Sequence, residues 1–190
     1  MPERRATPHL AKYFVVGSGK DPLAGADPRF GVLLRDLDLT TLATLAGGAT
    51  DRLAVDIESV SGLNADDAGA TFVVERLGIG IVITRRPALA ALVAEAGGLG
   101  LVQVLAFDST GLGRSLENHV ERPGVGTVVS PGPVLSHFTV QEIARLPRPI
   151  MADGLIDTPD RARRIFGLAD SVVLDLEVAR VVAAGLEDWL

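Results

Sequence analysis

LAVDIESVSGLNADDAGATFVVERLGIGIVITRR (Leu53–Arg86) holds one full repeat of the pattern that organises this chain. An apolar run, Leu53 to Val55, is closed by the carboxylates Asp56 and Glu58. A second run, Ile79 to Ile83, is closed by Thr84, Arg85 and Arg86. The sequence between them is helical. Asn64 reads as an N-cap, Asp66 and Asp67 place negative charge at the positive end of the helix dipole, and Gly78 supplies the stop. The runs are nearly continuous rather than alternating, as expected of parallel strands covered on both faces.

The same unit recurs in both directions. KYFVVGSG (Lys12–Gly19) and GVLLRD (Gly31–Asp36) precede it. LVQVLAFDS (Leu101–Ser109), GTVVSPG (Gly126–Gly132), PIMADG (Pro149–Gly154) and SVVLD (Ser171–Asp175) follow, giving eight strand candidates in all. Helices are expected over Leu39–Ala46, from Pro87 to a stop at Gly97, over Leu112–Glu121 and over Val140–Arg145. Another opens at Thr158-Pro159-Asp160, and a last one carries Ala179, Val182, Ala183 and Leu186 on one stripe. Eight βα periods average roughly 24 residues each, which is tight but sufficient for a single compact (β/α)8 TIM-like barrel of the α/β class. A doubly wound open sheet is the alternative. The chain reads as one domain over 1–190, with residues 1–11 as a flexible N-terminal segment.

The 190 residues carry 18 Lys and Arg against 24 Asp and Glu, a formal charge of −6. Such an acidic balance works against non-specific nucleic-acid binding, whose main term is phosphate neutralisation. Local cationic clusters remain at Arg4/Arg5, Arg85/Arg86 and Arg161/Arg163/Arg164. Mean hydropathy is +0.32, yet no apolar run approaches the ~18 residues of a membrane span. MPERRATPHL at the N-terminus lacks the apolar stretch of a signal peptide, so a cytoplasmic protein with no membrane partner is expected. With no cysteine there is no disulfide, thiol nucleophile or cysteine metal site. The apolar excess leaves a homodimer as an expected partner state.

In a barrel the C-terminal strand ends converge on one face, which makes their closing residues the candidate site. These are Asp56, Glu58, Thr84, Arg85, Asp108, Ser109, Ser130, Gly132, Asp153, Gly154 and Asp175, with Asp36 beside them. Asp and Ser are also common helix caps, so each taken singly has a structural explanation. Asp56 and Glu58 stand two apart, and such residues face one side of a strand. Together they would hold a hard cation such as Mg²⁺ in a metal-assisted enzyme, or pair with Arg85. No nucleophilic triad assembles: His9, His119 and His137 show no metal-ligand spacing. GSGK (Gly17–Lys20) lacks the spacing of a phosphate loop. No cofactor is implied. A ligand-sensing scaffold acting through protein contacts is the third reading.

Taken in order, DIESVSGL (Asp56–Leu63), ITRR (Ile83–Arg86), FDST (Phe107–Thr110), VSPG (Val129–Gly132) and MADGLI (Met151–Ile156) resemble the glycerol-3-phosphate-responsive antiterminator family. The resemblance runs from about Lys12 to Val182. It implies a small barrel that senses glycerol 3-phosphate or a related ligand and acts on an mRNA leader ahead of glycerol-utilisation genes. Family members usually carry paired glycines after strand seven, small polar residues after strand eight, and a histidine and an aspartate on strand three. This chain has Asp153-Gly154, Leu174-Asp175, and Asp56 with Glu58 at those places. Two carboxylates at roughly 4–6 Å from a phosphate would each oppose it by about 1 kcal/mol or more even in a screened medium. A changed phosphate site is therefore expected, with Asp175 itself standing in the anion position at a helix N-terminus.

Overall fold

The computed structural model describes residues 8–48, 50–106 and 122–185. Eight strands form a closed parallel barrel in which each pairs with its neighbours in sequence. They are β1 (Tyr13–Gly17), β2 (Gly31–Leu34), β3 (Leu53–Asp56), β4 (Ile81–Thr84), β5 (Leu99–Leu105), β6 (Val125–Ser130), β7 (Ile150–Ala152) and β8 (Ser171–Leu174). Closure decides between barrel and open sheet. β1 bonds to β2 through pairs such as Val16↔Leu33 and to β8 through Phe14↔Val173. The helices are α1 (Leu39–Leu45), α2 (Asp67–Thr71), α3 (Pro87–Glu95), α4 (Val140–Ala144), α5 (Pro159–Phe166) and α6 (Leu176–Ala184). The helix expected over 112–121 and the end of the fifth run, with Asp108, Ser109 and His119, lie outside the described residues.

The local chemistry differs from the sequence reading in two places and adds to it in a third. Asp66, not Asn64, caps α2, its carboxylate accepting from Gly69 N–H at 2.9 Å. The reason is spatial: the Asn64 carbonyl packs against Gly69, where a Cβ would come within 1.9 Å of it. β3 stops at Asp56, and Ile57–Ser59 wind into a 3₁₀ turn, so Asp56 and Glu58 do not stand on one extended strand. Between β6 and α4, Gly132–His137 form a 3₁₀ helix. The helix after it is capped by a reciprocal box, with the Thr139 hydroxyl on Glu142 N–H and the Glu142 carboxylate on Thr139 N–H.

Side chains alternate across the barrel wall. Phe14, Leu33, Ala54, Ile81, Ile83, Leu99, Leu101, Val128, Met151 and Val173 fill the interior. Val15, Val32, Leu34, Val55, Val82, Val172 and Leu174 face the helices. Volume is shared between neighbours: Gly31 leaves room for the Phe14 ring, which a Cβ at 31 would meet at 2.3 Å. Leu10 and Ala11 pack against the interior from below, and Pro8 covers Gly80. Residues 8–11 thus lie against the barrel bottom. No helix among the described residues is long and apolar enough to cross a membrane.

Gly100 is where α3 touches the wall. A Cβ there would lie 2.1 Å from the Ala90 carbonyl oxygen, a backbone atom that cannot step aside. Gly100→Ala should therefore destabilise the fold by about 2 kcal/mol or more. Gly167→Ala, where a Cβ meets nothing within 4 Å, should change stability by less than about 1 kcal/mol. Urea unfolding of the two variants reads the difference.

Candidate functional site

Each inward row continues past its last apolar residue to the mouth of the barrel. Stepping two residues from Leu33, Ala54, Val128, Met151 and Val173 reaches Arg35, Asp56, Ser130, Asp153 and Asp175. The mouth is therefore polar because the interior rows of β2, β3, β6, β7 and β8 end that way. Its apolar members among the described residues include Val16, 45% exposed, and Leu105, 38% exposed.

Arg35 organises this space. Its guanidinium crosses from β2 to the end of β7 and grips Asp153 with two bonds, Nη1 to Oδ1 at 3.1 Å and Nη2 to Oδ2 at 2.7 Å. Nε lies 3.4 Å from Asp56 Oδ2 at the end of β3. The Asp153 side chain is 3% exposed and that of Arg35 19%. Burial works against the Arg35 charge, but the bonds to Asp153 and the nearby carboxylates outweigh it and hold the guanidinium protonated. Burial pushes the Asp56 carboxyl above its ordinary range; Arg35 opposes that shift and Glu58 adds to it. Asp36, one residue past Arg35, has φ 51°, and Leu155, two past Asp153, has φ 58°. Among the described residues these are the two non-glycine positions in the left-handed region, and both flank the ion pair.

Arg35 escaped the sequence reading, which closed the second run at Asp36. The available signal was period two from Leu33. Asp153 does stand after strand seven, but its charge is matched by a cation rather than left open. Among the described residues one guanidinium here meets two carboxylates, and Arg85 acts on Asp56 from further off.

Glu58 belongs to a different cluster. Its Oε1 accepts from Thr84 Oγ1 at 2.6 Å and from Arg85 N–H at 3.1 Å, while Thr84 Oγ1 accepts from Arg86 N–H at 3.1 Å. The carboxylate thus ties the turn after β3 to the turn that opens α3, where negative charge is favoured. Thr84 is fully buried and committed to this link. Glu58 Oε2 is buried with no partner among the described residues. Beside it a groove of ≈ 530 Å³ is lined by Glu58, Asn64, Ala65, Asp66, Arg85 and Arg86. Arg86 Nη1 donates to the Ala65 carbonyl across it. The Arg85 side chain is exposed and forms no salt bridge within the described residues.

The turn after β7 is backbone-built. Gly132 N–H donates to the Asp153 carbonyl at 2.7 Å and the Gly154 carbonyl at 3.2 Å. A Cβ at 132 would clash with Ile156 Cδ1 at 2.8 Å, so the glycine lets the 3₁₀ segment close on β7. Gly154 turns the chain at φ 79°. Asp175 is the N-cap of α6, but its side chain makes no capping bond. Its carboxylate stands at the helix N-terminus without bonding to the first-turn amides. Ser130 ends β6 facing the Gly154 turn.

Among the described residues no three His, Asp or Glu side chains gather as a metal site. His9 lines a cavity of ≈ 670 Å³ at the opposite end of the barrel with Lys12, Arg148 and Asp170, far from the strand C-termini. His137 ends the 3₁₀ helix.

The sequence matches the family described as glycerol-3-phosphate responsive antiterminator over residues 31–173, from β2 through most of β8. The chain belongs to that family. A glycerol uptake operon antiterminator-related protein from Thermotoga maritima is 22% identical, covering 90% of this chain and 99% of its own, with a TM-score of 0.74. The glycerol uptake operon antiterminator regulatory protein of Listeria monocytogenes is 16% identical, covering 84% and 90%, with a TM-score of 0.70. A tryptophan synthase α chain from Legionella pneumophila matches at 13% identity over 94% and 84%, with a TM-score of 0.57. At these identities the likenesses speak to the barrel alone. No curated protein sequence matches the chain significantly. Arg35, Asp56 and Asp153 all fall within the matched residues.

Breaking this cluster has a defined cost. Arg35→Met leaves Asp153 buried without its cation and should destabilise by about 3–5 kcal/mol, whereas Arg35→Met with Asp153→Leu should recover most of the loss. Asp56 works with the opposite sign. Its folded pKa is raised, so its contribution is fully present below the ordinary carboxylate range and is lost as pH rises through the folded value. Asp56→Asn should remove that part of the pH dependence. Urea midpoints collected across the acidic range test both statements.

Proposed function

We propose that this antiterminator-family member is a cytoplasmic regulator that reads a small ligand at the C-terminal mouth and acts on an mRNA leader ahead of glycerol-utilisation genes. The observation that carries the reading is the family match from residue 31 to 173 on a closed barrel whose inward rows turn polar together at one end. Asp56, Arg35, Asp153, Ser130, Gly154 and Asp175 form the ligand-facing set. Gly132, Glu58 and Thr84 hold the surrounding turns, and Arg85 stands at the rim.

RNA contact in this reading is electrostatic. Tyr13, Phe14 and Phe30 are buried in the core, and among the described residues Phe72, 36% exposed, is the aromatic face open to solvent. Base stacking therefore has little to work with. Exposed cations that form no salt bridge among the described residues, Arg85 above all, are the groups to meet phosphates.

A gel shift with the leader RNA should show binding that weakens steadily with salt. Arg85→Ala should lower affinity across sequences and reduce the salt slope by about one. A leader that fails to shift even at low salt would overturn the RNA reading. In the ligand arm, calorimetric titration with glycerol 3-phosphate should give no micromolar affinity, because the Arg35 guanidinium is already held by Asp153 and Asp56. A clear micromolar isotherm would show that the family's phosphate site survives unchanged.

A further inference from the structure

We infer that Asp153 is a built-in anion seated on Arg35, so that the centre of the mouth refuses phosphate and carboxylate ligands while Asp153 is in place. This rests on the mouth being the ligand site, but it does not depend on RNA binding. The fork geometry of the pair is the one by which a guanidinium would grasp a phosphate or carboxylate from solution. Here the occupant is tethered and held in position. Asp153 N–H donates to the Val129 carbonyl at 3.0 Å, and the Asp153 carbonyl accepts from Gly132 at 2.7 Å. A free anion must compete with a carboxylate already positioned, which has lost its translational freedom in folding. Displacement would also strand the Asp153 carboxylate, 3% exposed, away from any cation.

The remaining contacts of Arg35 reinforce the exclusion. Nε faces Asp56 at 3.4 Å, so an anion approaching from that side meets a second carboxylate. The left-handed residues Asp36 and Leu155 sit on both shoulders of the pair, which shows the backbone accepting an unfavourable conformation around this contact. Arg35 is in this sense a specificity-determining residue: it has the chemistry of an anion reader and is kept from reading external anions. Ligand groups compatible with the intact pair are uncharged donors and acceptors, such as hydroxyls.

The probe is inorganic phosphate, with acetate as the carboxylate arm. In the wild type, the Arg35 Nε–H NMR signal should stay in place through millimolar phosphate. Asp153→Asn should bind phosphate at least about tenfold more tightly than the wild type. Adding Arg35→Met to that variant should abolish the gain. Asp153→Gly serves as a second route to the same vacancy, and thermal melts confirm that each variant is folded. Saturable movement of the wild-type Arg35 signal at submillimolar phosphate would overturn the inference. So would folded Asp153 variants that bind phosphate no better than the wild type, or a gain that persists without Arg35. A failed leader-RNA shift leaves these outcomes readable, so the two readings fail separately.

Discussion

Closing eight parallel strands through the β1–β8 pairing forces one side-chain row from every strand into a single interior. Below the mouth that space is filled by apolar residues of matched size, the Phe14 ring lying over Gly31 as the clearest case. At the mouth the same geometric constraint brings together side chains far apart in sequence. Arg35 and Asp153 are separated by 118 positions and meet because β2 and β7 look across one cavity. A buried carboxylate there needs a cation, and a buried guanidinium needs acceptors; each satisfies the other.

The two polar clusters at this end differ in kind. Around Glu58 the carboxylate ties two neighbouring turns, accepting from the Thr84 hydroxyl and the Arg85 amide. Its bonds are local to β3 and β4 and fix where α3 begins. Around Arg35 the bonds span the barrel and fix the charge that any ligand meets. The candidate residues therefore do not act as one ring of equivalent groups. Thr84 and Gly132 build turns, whereas Asp56 and Asp153 face the space between strands. The acidic character expected from Asp153 and Asp175 is accordingly halved: one carboxylate is neutralised and the other stands exposed at the start of α6.

How far the site was legible follows from the range of each interaction. The eight strands, the Pro87 start of α3 and the Thr158 start of α5 were legible because their determinants lie within a few residues along the chain. The cap of α2 was misplaced from Asp66 to Asn64 because the choice depends on a close contact between Gly69 and the Asn64 carbonyl. The shared face expected for Asp56 and Glu58 failed when the strand gave way to a 3₁₀ turn at Ile57.

By itself the sequence determined the alternation of strand and helix, the eightfold count and the family that the closing motifs point to. Hydrophobic period and turn chemistry are local, so they survive reading in one dimension. Tertiary structure alone decided that the sheet closes and that Arg35, unremarked beside Asp36, reaches Asp153 across the mouth. Burial and charge pairing depend on distances through space, and those exist only once β1 has found β8.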